Sequence, residues 1–173
     1  MSELSEDFQS ALGRASRIAI FRIEPDRDLL KPLGEVAERY GIRTGLIISA
    51  VGSLKRARLR NMKVFPKEFP VRDEHRSFVD VEGPLEILSI SGNLLRGEGG
   101  RITVHAHITV SKVDEEGIRV FGGHLVEGNI TYLMVEIALA EVEDVDVVRA
   151  IHPERKGLEL TVRRPMWGIP PYV

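Results

Sequence analysis

Cysteine is absent from the 173-residue chain. That removes disulfides, thiolate metal ligands and a cysteine nucleophile together. No apolar run approaches membrane-spanning length. The opening stretch, MSELSEDFQSALGR, is acidic and polar where a secretory leader would be basic and then apolar, so the cytoplasm is the simplest compartment. One glutamine and three asparagines stand against many glutamates and arginines, a balance found in proteins from hot environments, where amides degrade and ion-pair networks gain weight. Neither sign of charge dominates: 24 basic and 26 acidic side chains leave −2. No global field therefore draws the chain to nucleic acid, and such contact would need a local patch. A phosphate loop is also missing. Gly97-Glu98-Gly99-Gly100 lacks the lysine and hydroxyl residue that would follow, and it falls between strands.

What is present fits one domain with its own core. Leu4, Phe8 and Leu12 recur at four-residue spacing, which predicts a short amphipathic helix over 3–13. Ile18 to Ile23 reads as a strand stopped by Pro25. A helix is predicted from a cap at Asp26 or Asp28 to about Tyr40. Leu29, Leu33, Val36, Ala37 and Tyr40 share one face, Pro32 sits near the first turn, and Gly41 is the stop. From Ile42 the pattern turns to β, with a strand at about 54–64. Pro66, Pro70 and many charges predict mostly loop over 65–80. Further strands are predicted at 85–95, 101–113, 118–126 and 130–142. The tail holds a charged segment, a strand at 158–163 and an irregular stretch from Pro165, in which Trp167 packs on the core or a neighbouring subunit. Several hairpins with one main helix after the first strand indicate an α+β fold built mostly on antiparallel sheet. The expected organisation is a helical extension over 1–15, a domain over 16–143, and a C-terminal extension over 144–173 packed on that domain.

Particular motifs resemble a known family. Asp28-Leu29-Leu30 through Gly41-Ile42-Arg43-Thr44-Gly45, the turn Ala50-Val51-Gly52-Ser53-Leu54, and the stretch Glu82-Gly83-Pro84-Leu85-Glu86-Ile87-Leu88-Ser89-Ile90-Ser91-Gly92-Asn93 are similar to segments of the plants-and-prokaryotes conserved (PPC) domain. His105-Ala106-His107 and Gly122-Gly123-His124-Leu125 follow in the family's order. The resemblance covers roughly residues 16–143. It implies an antiparallel-sheet α+β domain that assembles as a homotrimer, with the three histidines associated with metal in prokaryotic members. Plant members add an Arg-Gly-Arg-Pro element that binds DNA. Here Arg163-Arg164-Pro165 lacks the central glycine, so the predicted DNA-binding label of prokaryotic members has lost its DNA-contacting part.

Spacing supports the metal reading independently. Ile102, Val104, Ala106, Ile108 and Val110 alternate with Thr103, His105, His107 and Thr109, which places the two histidines on one polar face about 7 Å apart. If Asp114-Glu115-Glu116-Gly117 is a four-residue loop, Val113 pairs with Ile118, Val110 with Phe121 and His107 with His124. A one-residue change in the loop, or a bulge at Gly122-Gly123, would send His124 elsewhere. Three neutral imidazoles suit zinc, with another divalent transition metal admissible on ligand type. Three ligands leave a position for a small molecule, or for water acidified towards neutrality, which keeps a hydrolytic enzyme open. Glu86 and Glu127 are the acids to test as outer partners or bases. The alternative is that the histidines merely line a polar sheet face or a subunit interface.

A competing reading uses Lys55, Arg56, Arg58, Arg60 and Lys63 as a phosphate or nucleic-acid patch, which would make the protein a DNA-associated regulator. No interleaved aromatics support single-strand stacking, and a solvated or acid-paired strand face explains the arginines as well. By parity Glu86 and Ser89 fall on opposite faces of their strand. His75 and His152 read as surface residues, and Glu141, Glu143, Asp144 and Asp146 as a solvated edge.

Overall fold

Period-two alternation governs the chain from Thr44 onward, and the chain answers it with sheet. The computed structural model describes residues 8–164. In chain order its strands and α-helix are β1 (Arg14–Ile23), α1 (Leu30–Arg39), β2 (Thr44–Met62), β3 (Arg76–Arg96), β4 (Ile102–Asp114), β5 (Gly117–Leu125), β6 (Ile130–Glu143), β7 (Asp146–Ile151) and β8 (Leu158–Arg164), with one 3-10 turn (Asp73–His75) before β3. Six strands form an antiparallel sheet in the order β1-β6-β2-β3-β4-β5, and β7 pairs with β8. The mostly antiparallel sheet and the helix after the first strand are as expected, but a single ten-residue α-helix among the described residues makes the fold sheet-dominated rather than clearly α+β. No helix among the described residues is long and apolar enough to cross a membrane.

The lengths of β2 and β3, 19 and 21 residues, let each strand serve different partners along its course. The first part of β2 lies between β6 and β3, and its far end also pairs with β5 through Leu59↔Leu125 and Arg60↔His124. Strands β2, β3, β4 and β5 thereby close on one another. Leu54, Leu85, Leu94, Ile108 and Val110 are at most 1% exposed. Leu29, Leu33 and Ala37, all fully buried, bring α1 into the same core. Each such leucine contributes on the order of 2 kcal/mol by burial.

At the start of α1, the Asp28 carboxylate accepts hydrogen bonds from the backbone N–H of Leu30 (2.9 Å) and of Gly128 (2.6 Å), tying the helix to the β5–β6 turn. Gly41 ends it in the left-handed region at φ 70°. Tyr40 lies off the buried face, 52% exposed.

Several expectations require correction. Residues 8–13 form no helix, and Phe8 and Leu12 are exposed; Leu4 lies outside the described residues. An isolated helix that short is marginal without a surface to cover its apolar stripe. Strand β3 starts at Arg76, inside the stretch read as loop. The strand predicted from 85 extends back through Pro84, where a register shift from Leu54↔Leu85 to Arg56↔Glu82 accommodates the proline. The charged segment after residue 143 contains strand β7, whose Val148, Arg149 and Ala150 are buried. Glu141 is not at a solvated edge either: it is 7% exposed and accepts from Arg17 Nε at 2.6 Å. The expected irregular tail with Trp167 lies outside the described residues.

Candidate metal centre

On β4 the alternation resolves as predicted. Ala106, Ile108 and Val110 point into the core, while His105 and His107 face outward. The hairpin turn is tighter than expected, since Asp114 already pairs with Gly117, but the register is unchanged: Val113↔Ile118, Val110↔Phe121 and His107↔His124. The β4–β5 ladder runs without a shift from His107 to Asp114, so Gly122 and Gly123 introduce no bulge there. Ring centroids lie 5.8 Å apart for His105 and His107, 5.0 Å for His105 and His124, and 5.2 Å for His107 and His124. One nitrogen from each ring falls within 4.8 Å of the other two.

Behind the cluster, β3 approaches β4 closely. A Cβ on Gly92 would sit 2.3 Å from the His105 carbonyl oxygen and 2.5 Å from Ala106 Cα, so only glycine keeps this strand spacing. Asn93 stands opposite His105 and Ser91 opposite His107.

Partial burial lowers the pKa of His105, assisted by the Arg149 guanidinium, His107 and Arg60. Burial also brings His124 down to about 4, with Arg60 the next largest cause and His105, His107 and Arg76 adding to it. Both rings are therefore neutral at ordinary pH, the form a metal requires. Beside His105 and His124 opens a cleft of about 520 Å³, lined also by Arg60, Arg76, Arg149 and Val71, with Arg155 and Lys156 at the β7–β8 connection.

The outer acids part company. Glu127 shares a second, shallower cavity with His124 and Arg60. Glu86 pairs with Ser111, four residues along β4 from His107, about 13 Å away, and stands apart from the cluster. Its relation to Ser89 also differs from strict parity. The β3–β4 register jumps from Ile87↔Val110 to Ser89↔Thr109, so Leu88 is an extra residue and Glu86 and Ser89 share a face.

The basic patch is dispersed rather than presented. Lys55 pairs with Asp26, and Arg56 donates to the Gly128 carbonyl at 3.2 Å. Arg58 lies over the Phe78 ring at 5.6 Å. Arg56 and Arg58 stand opposite Glu82 and Asp80 on β3, while Arg60 stands beside His124. Lys63 is exposed beyond the end of β2. His75 and His152 are half-buried local caps. The His75 Nδ1 accepts from Arg72 N at 2.9 Å, and the His152 Nδ1 from Glu154 N and Arg155 N at 3.2 Å.

Arg149 was missed in the sequence. An arginine within the apolar run Val147-Val148-Arg149-Ala150-Ile151 was the available signal, because a charge among β-formers either lies on the open face or serves a buried partner.

The chain matches the Plants and Prokaryotes Conserved (PCC) domain over residues 11–143. It is 33% identical over 155 residues to the bifunctional protein GlmU of Synechococcus sp. (strain JA-3-3Ab). The match takes in 90% of this chain but only 22% of that much longer protein. Among solved structures, a plant- and prokaryote-conserved protein of Pyrococcus horikoshii superposes with a TM-score of 0.68 at 27% identity, covering 92% of this chain and 100% of that one. A metal-containing protein of Archaeoglobus fulgidus gives 0.70 at 21%, covering 89% and 99%. A candidate DNA-binding protein of Bacteroides thetaiotaomicron gives 0.67 at 19%, covering 88% and 99%. At such identities the last two speak to the fold alone.

Proposed function

Because this chain belongs to the Plants and Prokaryotes Conserved (PCC) domain family, we propose that it is a homotrimeric metal-binding protein. In this reading it holds zinc, or another divalent transition metal, on His105, His107 and His124, and it receives a small molecule beside them. The observation that carries the reading is the convergence of three imidazole nitrogens within 4.8 Å. Nitrogens around tetrahedral zinc lie roughly 3.3 Å apart, so ring rotations of about 1 Å close the set. The donors fit such an ion: imidazole nitrogens from two adjacent strands, on a side of the sheet open to solvent. A bound ion would supply Lewis acidity at the mouth of the cleft. The metal-containing Archaeoglobus fulgidus protein shares the fold, which is consistent with this reading.

The trimer has its own support. Ile18 and Ile20 on edge strand β1 are 62% and 80% exposed, and Leu46, Ile48 and Val51 on β2 are exposed as well. An apolar patch of this kind on a soluble chain marks a contact surface, and a further copy of the chain is the occupant the family suggests. The DNA-associated alternative draws on the Bacteroides neighbour. It is disfavoured by the internal partners of Lys55, Arg56 and Arg58.

Elemental analysis of purified protein beside the His105→Ala/His107→Ala double variant tests the centre. About one equivalent of transition metal per chain is expected in the parent and almost none in the variant. Equal metal in both refutes it.

A further inference from the structure

The cleft beside the histidines holds more positive charge than its own acids balance. Arg76 donates to Asp73 at 3.0 Å and Arg155 to Glu159 at 2.7 Å, so each acid is already engaged. Arg60 and Arg149 make no ion pair with a carboxylate among the described residues. Arg149 is only 4% exposed. Its Nη2 donates to Asn93 Oδ1, yet its Nε is buried with no hydrogen-bond partner among the described residues. Guanidinium groups do not relieve burial by losing a proton, and an uncompensated buried cation with an unused donor is costly. A dication on the histidines would enlarge the imbalance. What the site lacks is a negatively charged acceptor of several hydrogen bonds.

We propose that the cleft between Arg60 and Arg149 is a binding site for the oxyanion group, phosphate or carboxylate, of a small molecule. The proposal deepens the metal-centre reading, on which it rests for the anion's place beside the three imidazoles; the two guanidiniums argue for it without a metal. Arginine's planar fork matches both oxyanions. A volume of about 520 Å³ falls in the range of metabolite pockets. One wall comes from Phe69, Pro70 and Val71 and another from the connection between β7 and β8. Of the two cations Arg149 is buried and Arg60 half-buried, whereas a duplex backbone would engage exposed side chains on an open surface. The tail hairpin thereby gains a role: it carries Arg149 to the histidines, with Gly97 bridged to Arg149 as its anchor on the sheet.

Calorimetric titration of the full chain with inorganic phosphate, with malonate and with a short duplex DNA tests this. Elemental analysis of every sample accompanies it. Phosphate, malonate or both are expected to bind, and which one does assigns the ligand to phosphorylated or carboxylate compounds. Arg60→Gln and Arg149→Gln should each weaken that binding about tenfold or more while leaving metal content unchanged. Should Arg149→Gln fail to fold, the half-buried Arg60→Gln decides alone. The inference is overturned if neither small anion binds, if Arg60→Gln binds as the parent does, or if duplex DNA binds tighter and ignores both substitutions. Anion binding in protein that holds no metal would remove the metal centre and leave this site standing. Metal without anion binding would do the reverse.

Discussion

One face of the main sheet is divided in two. On β3, β4 and β5 its outward positions are Asn93, Ser91, His105, His107 and His124. On β1 and β2 they include Ile18, Ile20, Leu46 and Val51. The rows are continuous, since Ile18 pairs with Ala140, Ala140 with Leu46, Leu46 with Asn93 and Asn93 with His105. Backbone geometry is therefore shared, and only side-chain chemistry differs. The polar half gathers donors around a cleft, as a ligand site requires. The apolar half leaves large aliphatic side chains in water, which a protein partner would cover. Parity along a strand decides which residues face out, while the choice of outward residues decides what each half of the face can do.

Three experiments would break or sharpen that division. Ile18→Glu combined with Ile20→Glu should have the largest effect: the mass in solution, measured by light scattering, is expected to fall from that of the proposed trimer to that of one chain while metal content stays at the parent level. Loss of metal in that variant would show the two halves to be interdependent. Next comes Gly92→Ala. The added methyl meets backbone rather than a flexible side chain, so β3 and β4 must separate at His105, at about 1–3 kcal/mol of stability. Metal affinity should drop with it, without a change of assembly, as urea unfolding and competition with a chelator would read. Unaltered metal affinity would mean that strand spacing behind the cluster is unimportant.

The smallest effect concerns pH in chelated protein. His124 titrates near 4 when folded, against 6.5 when unfolded. Below 6.5 the unfolded chain takes up a proton that the folded one refuses, so stability falls as the pH drops from 6.5 towards 4 and is independent of this group above that window. His124→Gln should flatten the urea midpoint over the window by comparison with the parent. An identical slope in both would contradict the burial and guanidinium effects assigned to that ring.

The part of the site legible in the sequence is local. His105 and His107 share a face by strand parity, and His124 joins them because a short hairpin fixes register over few residues. The tighter turn did no harm, since it preserved the Val113↔Ile118 rung. Non-local features were not legible. The allegiance of Arg60 to the histidines depends on β5 returning to β2, a pairing between residues 64 positions apart (124 minus 60). Arg149 depends on where a terminal hairpin docks. The extra residue at Leu88 defeated simple parity for Glu86 and Ser89, because a bulge leaves no periodic trace.

The closure between β2 and β5 consists of only two backbone rungs, Leu59↔Leu125 and Arg60↔His124, reinforced by Asn61 Nδ2 donating to the Gly122 carbonyl at 2.9 Å. A ring of strands fastened so sparingly at one joint breathes there before it unfolds elsewhere. His124 belongs to that joint, so whatever binds this imidazole together with those of β4 acts as a latch, stabilising the closed form over the open one. Occupancy of the cluster would then be recorded far from the ligand itself, in how slowly the amides along the joint exchange with solvent.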